Sequence, residues 1–280
     1  MARIGLVLFE DEVNKEKQQV VNNKKRWHLF KEIQEYAKNN KITHIFFSGS
    51  TLCDKKQREK ICVQSDVRRI GRIFKNFYVI FEVNKKGLLE KKFPPYGLYA
   101  YRKGTKVFGP ICQLLWSSKA DAELYIELWN DIKNGGRTIS LGKKKVLILI
   151  CGELNILHNQ QSNKNKVDGL RGPLFGQEIR DVDYDILFNP THSPFRGHYG
   201  KYKRRLEYIS KGKENRLAML NFNVPDKQNR RTAAFIAYRN GQEIKRKKNE
   251  KGHFGKGSTL HIILHNNHSL ITFTVIPLYH

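Results

Sequence analysis

Cysteine is scarce in this chain of 280 residues: four in all, at positions 53, 62, 112 and 151, with no CxxC spacing. That pattern matches neither a zinc site nor a disulfide framework, and it suits a reduced, cytoplasmic protein with no resident metal. No apolar run approaches the roughly 20 residues that a bilayer-spanning helix needs, so no membrane role is expected. The first apolar run is short and ends in acids, which argues against a secretory signal peptide. Acids themselves are few: 26 Asp and Glu stand against 52 Lys and Arg, for a formal net charge of +26. There is no Ser/His/Asp constellation. Glycines at 252–257 come after no buried strand, so they make a poor phosphate loop, and no cofactor is expected.

What is present begins with Lys145-Val146-Leu147-Ile148-Leu149-Ile150-Cys151-Gly152-Glu153. An unbroken Val/Ile/Leu run is the signature of a strand buried on both faces. It stops at a thiol, a glycine and a carboxylate. Ligands bind at the C-terminal ends of parallel strands, so Cys151 is a candidate nucleophile on a strand-to-loop elbow. The alternative is a buried structural cysteine, a common fate of free thiols.

Strand-like runs recur at 3–9, 42–47, 77–83, 97–103, 145–150, 184–188, 216–222, 232–238, 259–265 and 270–276. Helical periodicity covers 15–39, 55–75, 119–133 and 199–214. In the first of these, Trp27, Phe30, Ile33 and Ala37 fall on one face. Alternation of this kind predicts an α/β layered fold with a mixed sheet. The polar stretch 158–182 is expected to be a loop near the cysteine, and 240–258 an exposed one. Basic clusters at 143–145, 201–205, 230–231 and 245–248 raise the odds of contact with nucleic acid or an acidic partner, with Lys203, Arg204 and Arg205 as candidates.

The cysteine strand resembles the nucleophile strand of the nitrilase (carbon–nitrogen hydrolase) superfamily, and the likeness continues in order along the chain. Arg3–Glu10 and Ile42–Phe47 resemble the first two strands of that family. Tyr99-Ala100-Tyr101-Arg102-Lys103 resembles its catalytic-lysine segment. Arg137–Gly142 resembles the hairpin before the cysteine, and Asp183–Pro190 the strand ending in Asn-Pro. Glu214-Asn215 and Leu217–Asn221 are similar to a later helix end and strand. The resemblance implies one nitrilase-like domain over 1–280, an α-β-β-α sandwich with a mixed sheet, and a homo-oligomer. It implies a small amide, nitrile or carbamoyl-type substrate, with Cys151 as nucleophile, Lys103 stabilising the oxyanion and Glu123 supporting the lysine.

One departure stands out. The family's second strand ends in a glutamate base, but here it reads Phe47-Ser48-Gly49-Ser50-Thr51-Leu52. Either another carboxylate substitutes (Glu10, Glu82 or Glu153) or the fold has been reused for binding. Asn189, His192 and Arg196, near the Asn-Pro turn, can hold an anionic substrate group. An unrelated basic nuclease built on Asp183, Asp185 and Glu178 ranks last, because the acid–acid–lysine spacing is missing.

Overall fold

The computed structural model describes residues 3–13, 19–20, 23–53, 63–84, 96–115, 122–157, 175–192, 199–222, 224–225, 235–244, 261–266 and 269–277. In chain order the elements begin β1 (Arg3–Val13), β2 (Gln19–Val20), α1 (Asn23–Asn39), β3 (His44–Phe47), β4 (Leu52–Cys53), α2 (Val63–Ile73), β5 (Tyr78–Asn84), β6 (Tyr96–Arg102) and β7 (Thr105–Ile111). Next come α3 (Ala122–Lys133), β8 (Thr138–Leu141), β9 (Lys144–Ile148), a 3₁₀ turn (Cys151–Leu157), α4 (Gly176–Asp181), β10 (Ile186–Thr191), α5 (Tyr199–Ser210) and β11 (Leu217–Phe222). The last are β12 (Val224–Pro225), β13 (Phe235–Arg239), β14 (Gln242–Glu243), β15 (His261–Asn266) and β16 (Ser269–Pro277).

These elements fall into two compact units. Unit 1 comprises Met1–Cys112, Asn221–Ala234 and Lys245–His280; unit 2 comprises Gln113–Leu220 and Phe235–Ile244.

The sheet of unit 1 has the order β15-β16-β1-β3-β5-β6-β7. Its centre, β1, β3 and β5, is parallel, while β16 and β6 flank it antiparallel. In these central strands Ile4, Leu6–Phe9, Ile45–Phe47 and Val79–Phe81 are buried, as in strands covered on both faces. On one face lie α1 and α2, whose Phe30, Ile33, Ala37, Val67 and Ile70, together with Phe74 just after α2, are buried in one cluster with Val7, Phe9, Ile45 and Phe47. Phe30 meets Phe9, Phe47 and Phe74 edge-on, with centroids 5.6–6.2 Å apart, the arrangement ring quadrupoles favour. In α2, Gly71 leaves room for the Tyr101 ring, which a Cβ there would meet at 2.2 Å.

Unit 2 has a six-stranded sheet of order β14-β13-β11-β10-β9-β8. Here β9 runs parallel to β10, with Ile186, Leu187 and Phe188 opposite Val146, Leu147 and Ile148. The β8–β9 hairpin is antiparallel. Thus the expected cysteine strand and Asn-Pro strand are adjacent and end on the same side. The expected run 145–150 ends as a strand at Ile148, although the Leu149 N–H still donates to Phe188 O at 3.1 Å.

At the opposite end of these two strands, Asp183 accepts hydrogen bonds from Lys145 and Lys213, and Asp185 accepts from the Lys145 backbone N–H. The two lysines hold the Asp183 carboxyl down to about 2. Its folded value lies below its unfolded one. The stabilisation is therefore complete above the unfolded pKa, near 4, and fades as pH falls through about 2. Asp183→Asn should flatten the acid limb of the stability curve between about pH 4 and 2, read by urea unfolding at stepped pH. Because the group is exposed, added salt should shrink the difference.

Candidate functional site

In unit 2 the backbone turns sharply after Ile150. Cys151 has φ of +43°, in the left-handed region that side chains with a Cβ seldom adopt. Its thiol is half-buried, while Gly152, Glu153 and Leu154 behind it are buried. Conformations of this kind persist only where surrounding contacts hold them. Three sets of contacts do so.

The first is the Glu153 carboxylate, fully buried. Oε2 accepts the Ile150 N–H at 2.7 Å, closing the turn around the cysteine, and Oε1 accepts the Leu114 N–H at 2.6 Å. Arg137, itself buried, meets the same carboxylate with Nη2 at 3.1 Å and Nη1 at 3.3 Å, and its Nε donates to Asp131 at 2.6 Å. Burial pushes the Glu153 carboxyl up, while Arg137 and the two backbone donors pull it back. The four bonds are those of an ionised acceptor.

The second is Asn189 on β10. Its amide donates to the carbonyls of Leu149 and Cys151, and its own oxygen accepts from Thr191 Oγ1 at 2.6 Å. The third comes from α5. Arg205 Nη1 donates to Asn155 Oδ1 at 2.8 Å, and Asn155 Nδ2 donates to Gly152 O at 2.8 Å. Tyr202, one turn earlier on α5, is buried within electrostatic reach of both Cys151 and Arg205, and burial pushes its hydroxyl up to about 12.

Unit 1 has its own polar cluster, at the C-terminal ends of its parallel strands. The segment after β3 curls through Ser50, φ +54°, so that the Ser50 N–H donates to Glu82 Oε2. Thr51 Oγ1 accepts the Glu82 N–H at 3.1 Å and donates to Ser48 O. Arg26, buried under the Phe9 ring, donates to the carbonyls of Ser50 and Thr51. Among the described residues, Glu82 and Glu153 are the buried carboxylates. Glu82 therefore lies beside the segment where the resemblance expects a base.

The other candidates are spread over both units. Glu10 continues β1 alongside Val224 of β12. Lys103 occupies a two-residue hairpin turn with Gly104, φ +48° and +86°, and is exposed. Arg102 pairs with Tyr78 and Leu98 with Glu82, so that turn lies at the start of β5, about 13 Å of strand from Glu82 at ~3.3 Å per residue. The structure does not bring Lys103 to the Glu82 end of the sheet. Glu123 is exposed in the first turn of α3, where a carboxylate suits the helix dipole. Asn189 is engaged in holding the elbow. His192, half-buried, comes directly after β10, and Arg196 lies outside the described residues, as do the basic clusters 230–231 and 245–248.

The three residues grouped as a nucleic-acid contact have separate fates. Lys203 pairs with Glu243 at 2.6 Å, Arg205 is buried on Asn155, and Arg204 is exposed. Periodicity puts Arg205 on the inner face of α5, three residues after the buried Tyr202 and next to the buried Leu206, a signal that counting basic residues overlooks. Arg137, which carries the Glu153 network, lies within a stretch noted only as a hairpin.

Against solved structures, the chain has the fold of the nitrilase superfamily. The NitN amidase from Neterenkonia sp. AN1 superimposes with a TM-score of 0.53 at 10% identity, over 97% of this chain and 92% of that one. A carbon–nitrogen hydrolase from Helicobacter pylori G27 gives 0.52 at 9% identity, over 99% and 89%. Saccharomyces cerevisiae Nit3, a member of branch 10 of the nitrilase superfamily, gives 0.51 at 8% identity, over 98% and 90%. No family model matches the sequence, and no curated protein matches it. Among the described residues no helix is long and apolar enough to cross a membrane, and no group of metal-binding side chains gathers.

Removing one partner of a buried ion pair leaves the other charge uncompensated, at a cost of about 3–5 kcal/mol. Arg137→Ala should destabilise the protein by that order in urea unfolding. Glu153→Gln, which keeps the shape but not the charge, should also lose stability and should loosen the Cys151 turn, read as faster amide exchange at Ile150 and Leu114.

Proposed function

We propose that the chain is a divergent nitrilase-type hydrolase or transferase, acting on a carbon–nitrogen bond of a small amide, nitrile or carbamoyl-type substrate with Cys151 as nucleophile. The observation that carries this reading is the Cys151 turn. A half-buried thiol ends a buried parallel strand in a left-handed conformation held by three independent sets of hydrogen bonds. A structural thiol needs no such support. In a variant of the amidase from Nesterenkonia sp. AN1, acrylamide has undergone Michael addition at the active-site cysteine, which supports a cysteine as the reacting group on this fold.

On this reading the thiolate attacks the substrate carbon, the C–S bond forms, and the C–N bond breaks as the amine takes a proton. Water or an acceptor then releases the acyl group. A base must accept the thiol proton and return it. Glu153 is committed to Arg137 and two backbone donors, so we assign the base role to Glu82, with Glu10 as the alternative. On a panel of amides, nitriles and carbamoyl compounds, Cys151→Ala should abolish turnover and Glu82→Gln should lower kcat by about a hundredfold. Turnover by Cys151→Ala removes the nucleophile assignment; full turnover by Glu82→Gln removes the base.

A second reading, polyanion binding through the basic surface, is favoured by the net charge of +26 and by exposed Lys201 and Arg204 on α5. It predicts affinity for single-stranded nucleic acid whose logarithm falls linearly with log salt. The pair Lys201→Gln and Arg204→Gln should flatten that slope by about two phosphate contacts, and no measurable binding near physiological salt, about 0.15 M, removes the reading.

A further inference from the structure

In unit 1, cations that stand apart in sequence gather on one side of α2. Arg68 and Arg72 of this helix, with Lys75 just after its end, recur at spacings of four and three residues. They form one exposed stripe, about 10 Å long at ~1.5 Å per residue. The β6–β7 hairpin lies beside it. Gly71, on the flank of the stripe, faces the Tyr101 ring, and a Cβ on Gly104 would stand 3.3 Å from Lys75 Cβ. Tyr101 pairs with Lys106 across the hairpin, which puts the exposed Lys106 on the face of the sheet that α2 covers. Lys103 at the tip is exposed, and its backbone N–H donates to Phe77 O at 2.9 Å. The folded backbone thus fixes where each of these cations stands.

Elsewhere on the protein, Lys145, Lys203, Lys211 and Lys213 are each paired with a carboxylate. Among the described residues, no carboxylate pairs with Arg68, Arg72, Lys75, Lys103 or Lys106. Asp66 lies two residues before Arg68, about 160° round the helix axis from it at 3.6 residues per turn. The acids of α1 belong to the other flank of α2, where Arg69 covers the Trp27 ring at 4.2 Å and Gln34 Nε2 donates to Ile73 O. Among the described residues of the hairpin, the large apolar side chain left exposed is Val107, and the nearby Tyr101 and Phe77 rings are buried. A surface without an apolar wedge does not suit insertion into a bilayer, and one without an exposed ring does not suit base stacking. Unpaired cations in a row suit phosphates.

We propose that the Arg68–Arg72–Lys75 stripe, with Lys103 and Lys106 of the hairpin, is a docking surface for the sugar–phosphate backbone of a nucleic acid, engaged without regard to base sequence. The inference rests on the polyanion reading and goes beyond it, because it assigns the contact to unit 1 and to cations that no run in the sequence groups. One strand of a duplex carries a phosphate every ~3.4 Å of axis, so a stripe of about 10 Å spans about three of them. Two of its three members are arginines, whose planar fork can hold two phosphate oxygens at once.

The test is fluorescence anisotropy of the full chain with a labelled DNA duplex of arbitrary sequence, and with its single strand, between about 0.05 and 0.2 M salt. In wild type the logarithm of affinity should fall linearly with log salt for both probes. Arg68→Gln, Arg72→Gln and Lys75→Gln combined should flatten the duplex slope by about 2.7, the share of three phosphates, and weaken binding alike for unrelated sequences. Arg68→Lys with Arg72→Lys keeps the charge and should keep most of the slope. An unchanged slope in the Gln variant overturns the proposal, and so does an equal loss in the Lys variant, which marks a structural effect. Tighter binding to phosphatidylserine–phosphatidylcholine vesicles than to DNA at the same salt also overturns it, in favour of a membrane surface. Wild type that binds DNA through Lys201 and Arg204 alone overturns this surface and leaves the polyanion reading standing. Wild type that binds neither probe near 0.15 M salt, about the physiological value, removes that reading itself.

Discussion

The Glu153 carboxylate is the constraint around which unit 2 is arranged. One buried anion ties together the end of β9 through Ile150, the start of the unit at Leu114, and Arg137 ahead of β8. Each bond replaces a hydrogen bond to water that burial removes, and the ion pair balances the charge. The left-handed Cys151 is the geometric consequence. With Ile150 N–H anchored to the residue three positions on, the chain must turn tightly, and the thiol is left at the outside of the bend. Asn189 and the Arg205–Asn155 link then close the remaining freedom from β10 and from α5.

Unit 1 solves a parallel problem differently. Its strand ends carry Ser and Gly where a carboxylate would be expected, and the segment is organised by Arg26 beneath it and by Glu82 from the neighbouring strand. A buried arginine bonded to carbonyls and a buried glutamate bonded to a backbone N–H satisfy the peptide groups of an irregular segment that water cannot reach. The aromatic packing of Phe9, Phe30, Phe47 and Phe74 provides the rigid floor under it.

Much of the architecture is legible in local pattern. The apolar runs at β1, β3, β5 and β9 announce strands covered on both faces, and Trp27, Phe30, Ile33 and Ala37 announce the buried side of α1. The Cys-Gly pair marks the elbow. Less legible is the Tyr99–Lys103 segment. Lys103-Gly104 is a two-residue turn signal, because both positions need positive φ, and beyond it the chain returns as a second strand, β7. Reading the lysine by family likeness alone places it on a strand end; the turn chemistry places it at a hairpin tip.

Length, patterning and order of elements thus settle the α/β class, the succession of strands and helices, and the position of the thiol at the end of a buried strand, because periodicity is a property of neighbouring residues. The fate of the charged groups is decided elsewhere. Glu153 is an anchor because Arg137 and Leu114, 16 and 39 residues away, converge on it. Arg205 is a buried cation and not a surface one because α5 packs its inner face against the turn 50 residues earlier. Whether a carboxylate or a guanidinium is solvated or paired depends on which distant segments exclude water from it, and desolvation and pairing at that range belong to the tertiary structure alone.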